Sequence, residues 1–300
     1  MVTVMLDGRP FNFIDEGSGE PVVHILGSES RWMIKGGVRD SSGIPRLTKI
    51  KSLTGKYRVL AYDNYNLNTE YNVANDPFGH MVTKPITSDR VKQVSEDCYV
   101  FMRALNIGNA HIFAHSNVGF VGLKLALDHP ELVNSIALLE FELVSSSLLE
   151  RKAMEFGQKM IQKASAYAAA NPEKIKEILA KVNYSGTLNS PSGETPESLS
   201  RKYPSSFAEP KNPEEFQMRM QIMGSLGLPM EEIQKQLKQP ILSITWDYSL
   251  APFKKSSELM KSWLPQTESF TVPKREHWYQ ENMDGFATGL MDFFSRHPIP

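Results

Sequence analysis

The feature that most limits how this chain can fold is a series of short, continuous apolar runs. They are PVVHIL at 21–26, YRVLAYD at 57–63, AHIFAH at 110–115, NSIALLE at 134–140 and PILSITW at 240–246. A run of four to eight residues that is apolar at both alternating positions suits a strand buried on both faces, as in a parallel sheet covered by helices. Weaker strands are expected at 2–6 and 11–14, with Asp7-Gly8 between them as in a tight hairpin, and at 268–272. Helical patterns separate the runs. In residues 89–105, opened by Ser88-Asp89 as a cap, apolar Val91, Val94, Cys98, Phe101, Met102 and Leu105 recur at spacings of three and four. Residues 118–127, 254–263 and 284–294 are further helices. Strand alternating with helix predicts an α/β fold, a doubly wound, mostly parallel sheet with right-handed crossovers.

Between 142 and 238 the pattern changes. Residues 147–170, 172–182, 213–226 and 230–237 read as helices around a Gly-, Ser- and Pro-containing stretch at 183–212, and no strand interrupts them. The expected organisation is a core domain in two parts, 1–141 and 239–300, with a helical lid at 142–238 inserted between them.

Charge narrows the function. Lys and Arg total 33 against 34 Asp and Glu, a net charge of −1, which gives no electrostatic basis for binding nucleic acid. No run of about 18 apolar residues is present, so no membrane span is expected. The N-terminal MVTVMLDGRP lacks a basic stretch leading into an apolar one, so a cytoplasmic location is expected. Cys98, the single cysteine, cannot form an internal disulfide and reads as a small core residue of its helix. The histidines are scattered without metal-ligand spacing, and no phosphate-binding glycine loop occurs, so neither metallohydrolase nor nucleotide chemistry is expected.

The most informative segment is AHIFAHSNVGFVGLKLALDHP, in which a strand runs into Ala114-His115-Ser116-Asn117-Val118-Gly119 and a helix follows at once. A nucleophile elbow needs this strand–turn–helix arrangement, because it lifts a serine hydroxyl above the sheet edge on a strained backbone with small neighbours. Ala114 meets the demand for smallness; Val118 stands where glycine is usual, with Gly119 next to it. The N–H of Asn117 would face a developing oxyanion. A second donor is expected after the first core strand, where Leu26-Gly27-Ser28 places the N–H of Ser28 beside a glycine that permits close approach.

A serine hydroxyl needs a neutral imidazole as base. Among seven histidines, His277 in KREHW lies directly after the last strand and before the last helix, and the order serine, acid, histidine is the one such folds use. His24, His80, His111, His115, His129 and His297 read as structural, with the His115 side chain expected to point away from Ser116. For the acid, the strand 240–246 leads to Asp247, but register puts Ser249 where an aspartate would normally fall. Glu140, at the end of the preceding strand, is the preferred acid, Asp247 the alternative, and Glu142 a weaker one.

Taken together, these segments resemble the α/β-hydrolase superfamily over nearly the whole chain. Within it, Ser116, Glu140, Ser249 and His277 resemble the zearalenone hydrolase (lactonase) group, which has serine in the elbow, glutamate after the following strand and no aspartate at the usual later position. The resemblance implies a Ser-Glu-His triad, no cofactor, and hydrolysis of a lactone or carboxylic ester. A small-molecule substrate is expected, in a pocket that Trp32, Phe156, Met160 and Met223 would line; homodimerisation is left open. Hydrolysis of a C–C or amide bond is the nearest rival, and a ligand-binding or isomerising protein without hydrolysis is the other.

Overall fold

The computed structural model describes residues 2–6, 9–26, 47–62, 88–143, 201, 212–247, 249, 251–273 and 283–300. The strands are β1 (Val2–Leu6), β2 (Arg9–Glu16), β3 (Glu20–Ile25), β4 (Tyr57–Tyr62), β5 (Ala110–His115), β6 (Val133–Leu139), β7 (Ile241–Trp246) and β8 (Thr267–Val272). The helices among them are α1 (Lys51–Thr54), α2 (Ser88–Ala104), α3 (Gly119–Asp128), α4 (Pro213–Leu226), α5 (Met230–Gln236), α6 (Ala251–Trp263) and α7 (Met283–Arg296). The strands form one eight-stranded sheet in the order β1-β2-β4-β3-β5-β6-β7-β8. β1–β2 and β2–β4 pair antiparallel, and every pair from β4 to β8 is parallel. The fold is therefore the expected doubly wound α/β sheet. The β1–β2 register ends at Leu6 opposite Arg9, so only residues 7 and 8 connect them, as the Asp-Gly pair predicts.

The apolar runs become the buried centre. In β5 the five residues from Ala110 to Phe113 and Ala114 are all buried, and β7 is buried along its whole length. Alternation then divides the core. Ile112, Ala114, Ile136 and Leu138 face α2 to α5, while Phe113, Ala137, Leu139 and Trp246 face the side covered by α1 and α7. α2 buries Val91, Val94, Cys98, Phe101 and Met102, the stripe that its spacing predicts. It closes at Asn106, whose φ of 54° lets the Ile107 N–H reach the Met102 carbonyl at 2.9 Å.

Two helices from the expected lid, α4 and α5, contribute Met218, Ile222, Leu226 and Ile233 to the same core cluster as α2 and α3. The remainder of the lid prediction, including helices at 147–170 and 172–182, lies outside the described residues. Among the described residues no helix is long and apolar enough to cross a membrane.

The strand order reverses beside β5. From β3 the chain steps outward to β4, then returns to place β5 against the other side of β3 and continues to β6, β7 and β8. In open α/β sheets the crevice outside the carboxyl ends of the strands at such a switch point is where ligands bind. The carboxyl end of β5 carries Ser116.

Candidate active site

Ser116 follows β5 directly. His115 is still extended, with φ −116° and ψ 140°, and Ser116 turns to a φ of 54° before a short 3-10 turn leads into α3. A left-handed φ is unfavourable for a residue with a Cβ, so such a conformation persists only where the surroundings impose it. Here the strand before and the helix after leave no other path. Val118 takes helical angles, φ −65° and ψ −16°, and is buried in the core cluster. The tight approach that glycine usually serves falls one residue later. A Cβ on Gly119 would overlap the Phe141 ring and lie 3.2 Å from Leu138. Phe141 also packs edge-on against Phe120 at 4.7 Å. The side-chain oxygen of Asn117 is buried and meets no hydrogen-bond donor among the described residues.

Glu140 follows β6 as Ser116 follows β5. Its φ is 46°, and its N–H donates to the Ile244 carbonyl of β7 at 2.8 Å. Oε1 accepts a 2.5 Å hydrogen bond from the Ser249 hydroxyl, and Oε2 lies 3.8 Å from Nε2 of His115. Ser249 is held in turn by Trp246: its Oγ accepts the Trp246 N–H at 2.7 Å, and its own N–H donates to the Trp246 carbonyl at 2.9 Å. Asp247 is exposed; its N–H donates to the Val272 carbonyl at 3.0 Å, and its carbonyl accepts from Lys254 Nζ at 2.6 Å. Glu142 is half-buried beyond Phe141.

The carboxyl ends of β5, β6 and β7 thus bring Ser116, Glu140 and Ser249 to one edge of the sheet. Gly27, Ser28, Trp32, Phe156, Met160 and His277 lie outside the described residues. Met223 is half-buried on α4. The contact that sequence reasoning missed is His115 beside Glu140. The sequence carried no signal for it, because the contact follows from register: His115 pairs with Leu139, so the glutamate one residue on falls within reach.

Further along the same face, His24 is fully buried with its ring edge-on to Phe113 at 4.8 Å. Burial, and then the neighbouring His115, lower its pKa to about 3, so it is neutral under ordinary conditions. The Cys98 thiol is pushed up to about 12 by burial, which makes it a core residue and not a nucleophile. Among the described residues no three His, Cys, Asp or Glu side chains group as metal ligands.

A strand-to-helix elbow at the switch point is the signature that the family comparison meets. Residues 51–283 match the model of the alpha/beta hydrolase fold family. The chain belongs to that family. Over 243 residues this α/β-hydrolase-fold protein is 23% identical to a 2-hydroxy-6-oxononadienedioate/2-hydroxy-6-oxononatrienedioate hydrolase of a Pseudomonas species, covering 80% of this chain and 78% of that one. A 103-residue stretch is 27% identical to a Pantoea ananatis protein named for carbamate hydrolysis, RutD, and spans only 34% of either chain. The enol-lactonase of Burkholderia xenovorans LB400 shares the fold with a TM-score of 0.51 and 17% identity, covering 98% of this chain and all of that one, 100%.

Proposed function

We propose that the protein is a serine hydrolase that cleaves a carboxylic ester or lactone through an acyl-enzyme. The observation that carries this reading is Ser116 itself, held at a φ of 54° at the carboxyl end of β5, where the strand order reverses. A hydroxyl at the point where the fold places ligands, on backbone that a plain turn would avoid, is a placement suited to nucleophilic attack.

In this mechanism Ser116 Oγ attacks the carbonyl carbon while His277 takes its proton. Glu140 accepts the other ring N–H of His277, which sets the tautomer and stabilises the imidazolium. The backbone N–H groups of Asn117 and Ser28 hold the oxyanion, each such donor being worth roughly 3 kcal/mol. The protonated His277 returns its proton to the leaving alkoxide. Water, deprotonated by His277, then attacks the acyl carbon; the bond to Ser116 Oγ breaks, Oγ takes the proton from His277, and the acid is released. The resemblance to the zearalenone hydrolase (lactonase) group, carried by Ser116, Glu140, Ser249 and His277, favours a lactone. The lid, with Trp32, Phe156, Met160 and Met223, would supply the apolar pocket.

The Pseudomonas relative supports one alternative. Its named substrate has neither an ester nor an amide linkage, so its hydrolysis breaks a carbon–carbon bond, and a triad serves both reactions. Turnover of p-nitrophenyl acetate, a δ-lactone and a vinylogous 1,5-diketo acid, with product masses, separates the readings. The ester and lactone are expected to gain one water, with the diketo acid untouched. Cleavage of the diketo acid alone would replace the ester reading, and a product of unchanged mass would point to isomerisation.

A further inference from the structure

Among the described residues the Ser249 hydroxyl proton goes to Glu140. Its Oγ accepts the Trp246 N–H at 2.7 Å, so the hydroxyl hydrogen is left for Glu140 Oε1 at 2.5 Å. The turn that holds it is closed from both sides, since the Ser249 N–H bonds back to the Trp246 carbonyl. Trp246 is itself fixed: it is buried, in register with Val272 of β8, and stacked on Phe286 at 5.8 Å. Glu140 is therefore tied to β7 through its backbone N–H to Ile244, and to the turn after β7 through its carboxylate to Ser249.

That second tie holds one of the two carboxylate oxygens. A glutamate side chain has three rotatable bonds, and the imidazole of His115 stands 3.8 Å from its other oxygen. Released from Ser249, the carboxylate is free to close that gap and bond His115. We infer that Ser249 is a positioning residue for the triad acid, a hydroxyl clamp that holds Oε1 and keeps the Glu140 carboxylate from collapsing onto His115. This rests on the reading of Glu140 as the acid. The residue at the place where an aspartate would usually stand then serves the acid that has moved to the neighbouring strand.

The test is steady-state kinetics on p-nitrophenyl acetate for Ser249→Ala, Ser249→Thr, Glu140→Gln and the double variant Ser249→Ala/Glu140→Gln, with thermal melts to establish folding. Ser249→Ala is expected to lower kcat roughly tenfold, the loss of one hydrogen bond to a charged group, with KM within about twofold. Ser249→Thr keeps the hydroxyl and restores kcat. In the Glu140→Gln background Ser249→Ala causes no further loss, because the two act as one unit. Wild-type kcat in Ser249→Ala would overturn the clamp, as would a loss that threonine does not restore or that repeats in full on top of Glu140→Gln. Wild-type kcat in Glu140→Gln would instead overturn the assignment of the acid, and the clamp with it.

Discussion

Ser116 and Glu140 stand one residue beyond a register pair, His115 and Leu139, on neighbouring parallel strands, and both take left-handed φ values, 54° and 46°. The remaining non-glycine residue with positive φ among those described, Asn106, caps a helix. Among the described residues the strain is thus concentrated at the two strand ends that the proposed mechanism uses. Glycine relieves such strain and alanine does not. Ser116→Gly is therefore expected to be more stable than Ser116→Ala by about 1 kcal/mol, both being inactive. Urea unfolding of the two variants measures the difference; equal stabilities would mean that the elbow stores no strain.

Glu140 and Asp247 compete for the role of acid, and their surroundings differ. Glu140 is half-buried with two polar neighbours, whereas Asp247 is exposed. Glu140→Gln is expected to lower kcat roughly a thousandfold or more, the size of effect seen when a triad carboxylate is neutralised. Asp247→Asn should stay within about threefold of wild type, a change under 1 kcal/mol. A reversed result in an ester assay would move the acid to β7.

The elbow carries its close packing at Gly119, so the two neighbouring positions respond in opposite senses to what the usual motif suggests. Gly119→Ala pushes a methyl group into Phe141, and overpacking of this kind costs about 1–3 kcal/mol. Val118→Gly removes a buried side chain and places glycine at the start of a helix, a loss of roughly 2–3 kcal/mol. Differential scanning calorimetry is expected to show lowered Tm for both; a stabilised Val118→Gly would contradict the packing described.

His24 makes stability depend on pH. Its imidazole is neutral in the folded state, with a pKa lowered from 6.5 to about 3 by burial and then by His115. Above pH 6.5 both folded and unfolded chains hold it neutral and it has no effect. Between pH 6.5 and about 3 the unfolded chain takes up a proton that the folded one does not, so stability falls by about 1.4 kcal/mol per pH unit. His111, also lowered by burial, acts in the same direction. Urea midpoints at pH 7 and pH 5 should diverge in the wild type and diverge less in His24→Leu; an identical pH dependence in the variant would show that His24 is not the titrating group.

Most of the fold was legible in the residue pattern, for a simple reason. Strands such as AHIFAH and PILSITW must be apolar on both faces to sit in the middle of a parallel sheet, and the stripe of Val91, Val94, Cys98, Phe101 and Met102 can face only one way on a helix. The elbow was legible because strand, serine and helix follow without a gap. What escaped the sequence were relationships across the sheet. Val118 stands where glycine is usual, and only the ring of Phe141, from the next strand end, shows that the close approach is at Gly119 instead. His115 looked structural because register between β5 and β6 decides what it meets, and a single sequence does not display register. Ser249 was noticed for lacking a carboxylate, and only its bond to Glu140 gives it a part to play.

The central claim is that Ser116 is an activated nucleophile, and the most direct measurement is intact mass after treatment with a fluorophosphonate, on the wild type and on Ser116→Ala. One adduct on the wild type, absent from the variant, is the result predicted. An unmodified wild type, under conditions that label a control serine hydrolase, would contradict it and leave the pocket as a binding site.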